Sequence, residues 1–304
     1  MQRFKHVLLP LDEARCDADS LRSVTDLVRR NGARLTLLST VEEPSRLRQF
    51  WSTDDVDEAV AAAETELTAQ LASIAASADV PTEWSVARGG LAVAAIRRVV
   101  RGDADLVVTI DSDTPPAPET RRLLRKCPCP VWVVRPEALP TRGLCVLAAV
   151  NPTSDEVDLN TMILELASSM VERAGGVLHV VHAWEMIGST SKKGRTVSGR
   201  FNLSFDELVT EARGRRATAL DGLLAGLRDY PIERHVHLVH GPAESTISEL
   251  VDSLPADVLV MGTVARGGLS GLMIGNTAER VLTEAPCSLM AVKPADFVSP
   301  IRAD

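Results

Sequence analysis

What most constrains this chain is that it is written twice. Leu123-Leu124-Arg125-Lys126-Cys127-Pro128-Cys129-Pro130-Val131-Trp132-Val133-Val134-Arg135-Pro136 is answered by Val281-Leu282-Thr283-Glu284-Ala285-Pro286-Cys287-Ser288-Leu289-Met290-Ala291-Val292-Lys293-Pro294. Both read as a helix end, a Pro-Cys turn, an apolar strand, a basic residue and a proline. Upstream, Ala104-Asp105-Leu106-Val107-Val108 matches Ala256-Asp257-Val258-Leu259-Val260, and Val7-Leu8-Leu9-Pro10-Leu11-Asp12 matches Val146-Leu147-Ala148-Ala149-Val150-Asn151. The order and rough spacing agree, so the chain reads as two copies of one domain. We place them at 1–138 and 143–304, joined near Glu137 to Gly143. A length of 304 residues suits two ordinary domains.

Each copy alternates short apolar runs with amphipathic ones. In the first, strands are expected at about 6–11, 34–41, 83–87, 105–110 and 131–135. Helices are expected at about 18–30, 54–77, 91–101 and 119–126, the first closed by Asn31-Gly32. The second copy opens with a strand at 144–150, a helix at 155–173 closed by Gly175-Gly176, and a strand at 177–183. Its long helix starts at the capping box Ser204-Phe205-Asp206-Glu207. Near-continuous apolar strands separated by helices mean a parallel sheet covered on both faces. Right-handed crossovers make it doubly wound, so the fold class is α/β with two Rossmann-like domains in tandem. Ligands in such folds sit beyond the carboxyl ends of the strands, where strand order reverses. The insertion at 188–200, rich in Gly, Ser, Lys and Arg, reads as a solvated loop, with a lid over an anionic ligand as the alternative.

Composition excludes several functions. The net charge is -8 and the pI about 5.4, whereas nucleic-acid affinity needs a basic face. Aromatics are 3%, too few for base-stacking platforms. No apolar run nears the ~20 residues of a membrane helix. The start, Met1-Gln2-Arg3-Phe4-Lys5-His6, enters a strand with no long apolar stretch, so no secretory signal and a cytoplasmic location are expected. Five cysteines without a Cys-x-x-Cys fit reduced, structural thiols.

The stretch from Met261 to Glu279 carries the most chemistry. It follows a strand, opens a helix and holds Gly262, Gly267, Gly268, Gly271 and Gly275. Glycines let backbone N–H groups approach a phosphate, and a helix N-terminus adds partial positive charge. Arg266 adds a cation, and Asn276 with Glu279 has N-cap spacing. It is neither a P-loop nor a dinucleotide fingerprint, for Gly-Lys-Ser/Thr and GxGxxG are both absent. The bland alternative is a turn that only joins strand to helix.

These residues resemble the universal stress protein family, whose nucleotide-binding members carry Gly, two residues, Gly, nine residues, then Gly-Ser/Thr. Here the spacing holds as Gly262, Ala265 and Gly275-Asn276, with Ala265 and Asn276 as departures. The strings at 123–128 and 275–279 are similar to the tandem E-type members. The resemblance covers nearly the whole chain. It implies Asn151 at the position facing adenosine, Ala183 meeting adenine through its backbone, and Gly262, Ala265, Arg266, Gly275, Asn276 and Thr277 around the phosphates. ATP with Mg²⁺ is then the candidate cofactor of the second copy.

In the first copy Asp12 keeps the acidic position, but Asp111-Ser112-Asp113-Thr114-Pro115-Pro116 replaces the glycine loop. Its carboxylates repel phosphates and its prolines remove N–H donors. No nucleotide is expected there; the cleft is expected closed, or else open to a neutral or apolar ligand. The resemblance also implies a pseudo-dimer, with 131–135 and 289–292 side by side, and a homodimer of chains beyond that.

Histidines cluster at His179 and His182 on the second strand of copy two, and at His235, His237 and His240 on its third. No carboxylate or thiol completes a metal set at recognisable spacing, so they read as residues blunting an edge strand. No GxSxG, HExxH or synthetase-type histidine loop is present. The reading is a non-catalytic stress-response protein that binds a protein partner or small ligand. Its rival is an ATP/AMP sensor in copy two with slow hydrolysis.

Overall fold

The repeated Pro-Cys-strand unit places two equivalent strands against each other, and this contact organises the molecule. In the computed structural model, described residues are 4–14, 16–42, 53–113, 115–135, 143–153, 156–186, 205–227, 230–263, 278, 280–281 and 285–303. The first copy runs β1 (His6–Pro10), α1 (Ala18–Asn31), β2 (Arg34–Val41), α2 (Thr53–Ser77), β3 (Thr82–Arg88), α3 (Leu91–Val100), β4 (Leu106–Ile110), α4 (Pro118–Lys126) and β5 (Val131–Val134). The second runs β6 (Leu144–Ala149), α5 (Val157–Ala174), β7 (Gly176–Trp184), α6 (Phe205–Ala225), β8 (Glu233–His240), α7 (Ala243–Ser253), β9 (Val258–Gly262) and β10 (Ser288–Val292).

All seventeen form around one ten-stranded sheet of order β3-β2-β1-β4-β5-β10-β9-β6-β7-β8. Pairing is parallel within each copy. Only at the seam is it antiparallel, with Leu289 opposite Val133, Met290 opposite Trp132 and Ala291 opposite Val131. The expected pseudo-dimer is therefore built as one continuous sheet, and both third strands lie at its edges. Strand alternation sorts the core onto two faces. Trp132, Val134, Met290 and Val292 join α1, α2, α5 and α6 on one. Val131, Val133, Leu289 and Ala291 join α3, α4 and α7 on the other.

Local chemistry explains the ends. Asp17 accepts from Ser20 N at 2.8 Å and Asp19 N at 3.1 Å, capping α1. Gly32, at φ 60, closes it with bonds back to the last turn. Gly176, at φ 139, runs so close to Leu144 that a Cβ would lie 2.2 Å from its carbonyl oxygen, so no other residue fits. The repeated Ala-Asp pair ties the fourth strand of each copy to its first: Asp105 accepts from Lys5 N at 2.8 Å and His6 N at 3.0 Å. Asp257 likewise accepts from Cys145 N at 2.7 Å.

Two bonds cross the seam from equivalent basic residues. The Arg135 N–H donates to Ser288 Oγ at 3.0 Å. The Lys293 ammonium donates to the Leu124 carbonyl at 2.5 Å, at the end of α4. Beyond β10 the chain turns back to the first copy, where Arg101 Nε donates to Ala303 O at 2.8 Å. Among the described residues no helix is long and apolar enough to cross a membrane.

Candidate nucleotide cleft and its degenerate counterpart

Strand order reverses where β6 lies between β9 and β7. The sheet thereby brings the carboxyl ends of these strands together, and with them Asn151, Ala183 and Gly262. Ala149 stands opposite both Val181 and Met261, so the three positions lie on adjacent strands roughly 4.8 Å apart. Ala265, Arg266, Gly275, Asn276 and Thr277 lie outside the described residues, as do the insertion at 188–200 and Ser204.

Asn151 is held by α5. Its N–H donates to Asn160 Oδ1 at 2.7 Å, and Asn160 Nδ2 returns a bond to its carbonyl at 3.0 Å. Thr153 Oγ1 donates to Asn151 Oδ1 at 3.0 Å. The position that an acidic residue would hold thus carries a neutral, locally engaged amide. Gly262 has a packing reason of its own: a Cβ there would come within 3.0 Å of Leu159 Cδ2. Beside it Thr263 is buried, and its Oγ1 accepts from Lys293 Nζ at 3.0 Å. Lys293 is 5% exposed. Burial pulls its ammonium down to about 8, and the Phe297 ring lies 4.8 Å from Nζ.

The first copy differs at the matching place. Asp111 N donates to Val134 O as Thr263 N does to Val292 O, both at 3.1 Å, so the two residues are structural equivalents. Asp111 is buried, and its carboxylate accepts from Asp113 N and Ala117 N, each at 2.9 Å. Ala117 leads into α4, so this carboxylate occupies the helix entrance where a phosphate would seek donors. Glu119 does the same for α3, accepting from Ala92 N at 2.6 Å. The α7 N-cap residue, Pro242, like Gly90 of α3, makes no side-chain cap bond of its own.

One expectation is corrected. The first-copy cleft is not closed: among the described residues it opens to about 1060 Å³. Its walls carry Asp12, Glu13, Glu42, Glu66 and Glu119 beside Val41, Leu67 and Leu91. This row of carboxylates makes it a poor site for an apolar ligand.

The histidines divide by strand periodicity. His179 pairs with His235 in register, and His237 lies two residues on. Their rings stack at 5.1 and 5.2 Å, and His179 Nδ1 lies 2.9 Å from His237 Nε2. Burial, then the neighbouring imidazoles, holds His179 and His237 below the ordinary histidine range. His182 faces the other side, its Nδ1 3.1 Å from Val150 O. His240 lies against the Trp184 ring at 4.4 Å. Among the described residues no three His, Cys, Asp or Glu side chains are arranged to hold a metal. All five cysteines are free; burial raises the Cys16 and Cys287 thiols to about 11, away from reactive thiolates.

Comparison with known proteins follows the same division. The profile of the universal stress protein family matches residues 3–135 and again 149–293. A universal stress protein E of Photorhabdus laumondii is 27% identical over 338 aligned positions, covering 100% of this chain and 99% of that one. Its namesake in Escherichia coli K12 is 28% identical over 319 positions, covering 100% and 98%. Among solved structures, a Pseudomonas aeruginosa protein of unknown function superposes with a TM-score of 0.71 at 24% identity, over 97% of this chain and 94% of that one. A universal stress protein of Archaeoglobus fulgidus gives 0.64 at 16% identity, over 95% and 98%.

Proposed function

The chain belongs to the universal stress protein family, and from that premise we propose that it is a non-catalytic stress-response protein acting by binding a partner or small ligand. Its one adenine-nucleotide cleft is that of the second copy; the first copy takes none. The halves act as units at 1–138 and 143–304. The observation that carries this reading is the contrast between Asp111 and Thr263. In the first copy a built-in carboxylate already accepts the backbone donors at the α4 entrance. In the second the equivalent residue is a hydroxyl whose partner is a lysine. Anion binding is thus opposed in one copy and unopposed at that position in the other.

ATP with Mg²⁺ is the ligand to try first, with Gly262, Ala265, Gly275, Asn276 and Thr277 around the phosphates and Arg266 as a charge contact. Asn151 and Ala183 would meet the nucleoside. Calorimetric titration of the full chain with ATP and Mg²⁺ tests this. One site per chain is expected, lost in Asn276→Asp because the added carboxylate repels the phosphates. Two sites would overturn the reading of the first copy. No heat at millimolar ATP would remove nucleotide from the account and leave partner or other ligand binding.

A further inference from the structure

The outer edge of β8 combines unpaired backbone with histidines that the nucleotide reading does not use. Among the described residues no strand pairs with that side. One bond fixes which backbone groups face it. Gly241 N donates to Trp184 O at 2.9 Å, and Trp184 stands opposite His240. Backbone groups alternate sides along a strand, so the odd-numbered residues of β8 bond β7. Arg234, Val236 and Leu238 therefore turn their N–H and C=O groups outward, a template for another strand. The His235 side chain is 52% exposed on one face of β8 and Val236 is 47% exposed on the other. Neither face is covered at the middle of the strand.

A second copy of this chain fits that edge about a two-fold axis at Val236. Antiparallel pairing sets Val236 against the partner's Val236, and Arg234 against the partner's Leu238, as hydrogen-bonded pairs. His235 and the partner's His237 then form the other kind of pair, with Cα atoms roughly 4.5 Å apart and side chains at their closest. No like charges stand opposite each other, because Glu233 meets the partner's Val239.

The two imidazoles are already oriented. His235 Nε2 lies 2.9 Å from Glu233 Oε1, and His237 Nε2 lies 2.9 Å from His179 Nδ1. With the proton on Nε2 in both rings, Nδ1 is left to coordinate, and an outer partner holds each ring as in metal-ligating histidines. Among the described residues one chain brings no three such side chains together for a metal. Each chain carries half a site, which the partner completes. Neutral imidazoles suit Zn²⁺. A net charge of -8 keeps two copies apart, and a cation between them offsets part of that repulsion.

We propose that Zn²⁺ joins two copies of this chain edge to edge along β8, each ion held between His235 of one copy and the partner's His237, with water completing its shell. The two-fold makes two equivalent sites, one for each chain. The site does not depend on the nucleotide reading.

Sedimentation velocity of the full chain in EDTA and then with stepwise Zn²⁺ tests this. A monomer in EDTA should become a dimer as one Zn²⁺ per chain is added, and revert with excess EDTA. Mg²⁺, which takes oxygen ligands, should leave the mass unchanged. His235→Gln and His237→Gln should each lose the response, with folding checked by circular dichroism. Mixing the two variants should restore a Zn²⁺-dependent dimer, because one intact pair of His235 and the partner's His237 survives in the mixed species. Val236→Lys keeps every histidine but sets two ammonium groups opposite each other, and should abolish the dimer. Zn²⁺ bound without change of mass, no Zn²⁺ binding at all, a Zn²⁺-dependent dimer that survives both single histidine variants, or no recovery on mixing would overturn the proposal.

Discussion

Lys293 is where burial and charge conflict most sharply. Its ammonium is buried at the seam, donating to Leu124 O and Thr263 Oγ1, and burial draws its proton affinity down from 10.5 to about 8. A lysine so shifted binds its proton more weakly folded than unfolded. Between pH 8 and 10.5 the unfolded chain holds more protons, so this residue makes stability rise with pH through that window. A shift of that size corresponds to roughly 3 kcal/mol. The raised thiols of Cys16 and Cys287 act in the opposite sense above pH 9, so the test is a difference. Urea unfolding of wild type and Lys293→Met across pH 7 to 10.5 should show the upward slope of wild type reduced in the variant. Parallel curves would contradict the assignment. Asp111 makes the same point about legibility. As a residue it announced negative charge, and repulsion of phosphate followed from that alone. Sequence does not show which backbone N–H groups a carboxylate accepts, so its place at the α4 entrance was visible only in three dimensions.

At the scale of elements, most boundaries were readable. The first helix was expected at 18–30 and found at Ala18–Asn31, and the second strand was expected at 34–41 and found at Arg34–Val41. Strands buried on both faces leave continuous apolar runs, and glycine marks where helices stop. What was not readable is which neighbour each face meets. Five histidines looked like one group, yet strand alternation sends His182 away from His179. The first-copy cleft was expected closed, but among the described residues it is open, lined by carboxylates from the segments following β1 and β2 and from α2 and α4. The β7–β8 edge yields a prediction of its own. His179 and His237 hold protons less readily folded than unfolded, so the unfolded state takes up more protons as pH falls through 6.5, and stability is lost on acidification. His237→Gln should lessen the loss between pH 7 and 5 in urea unfolding. An undiminished loss would assign it to other groups.

For the whole molecule, the central fact is the antiparallel seam inside an otherwise parallel sheet. The family resemblance implied that the last strands lie side by side; the antiparallel sense of their pairing is what the structure adds. Severing the copies would leave β5 and β10 as apolar edges with unpaired backbone groups, which recruit other strands. Residues 1–138 and 143–304, produced separately, should each self-associate in sedimentation velocity and form a one-to-one complex when mixed. Two stable, non-interacting monomers would contradict the single-sheet account.

The claim that the second copy alone retains a nucleotide cleft can be tested most directly by hydrogen exchange on the full chain, with and without saturating ATP and Mg²⁺. The account predicts slowed exchange within 258–281 and no change within 106–121, where Asp111 already holds the donors. Protection within 106–121, or equal protection of both segments, would contradict it.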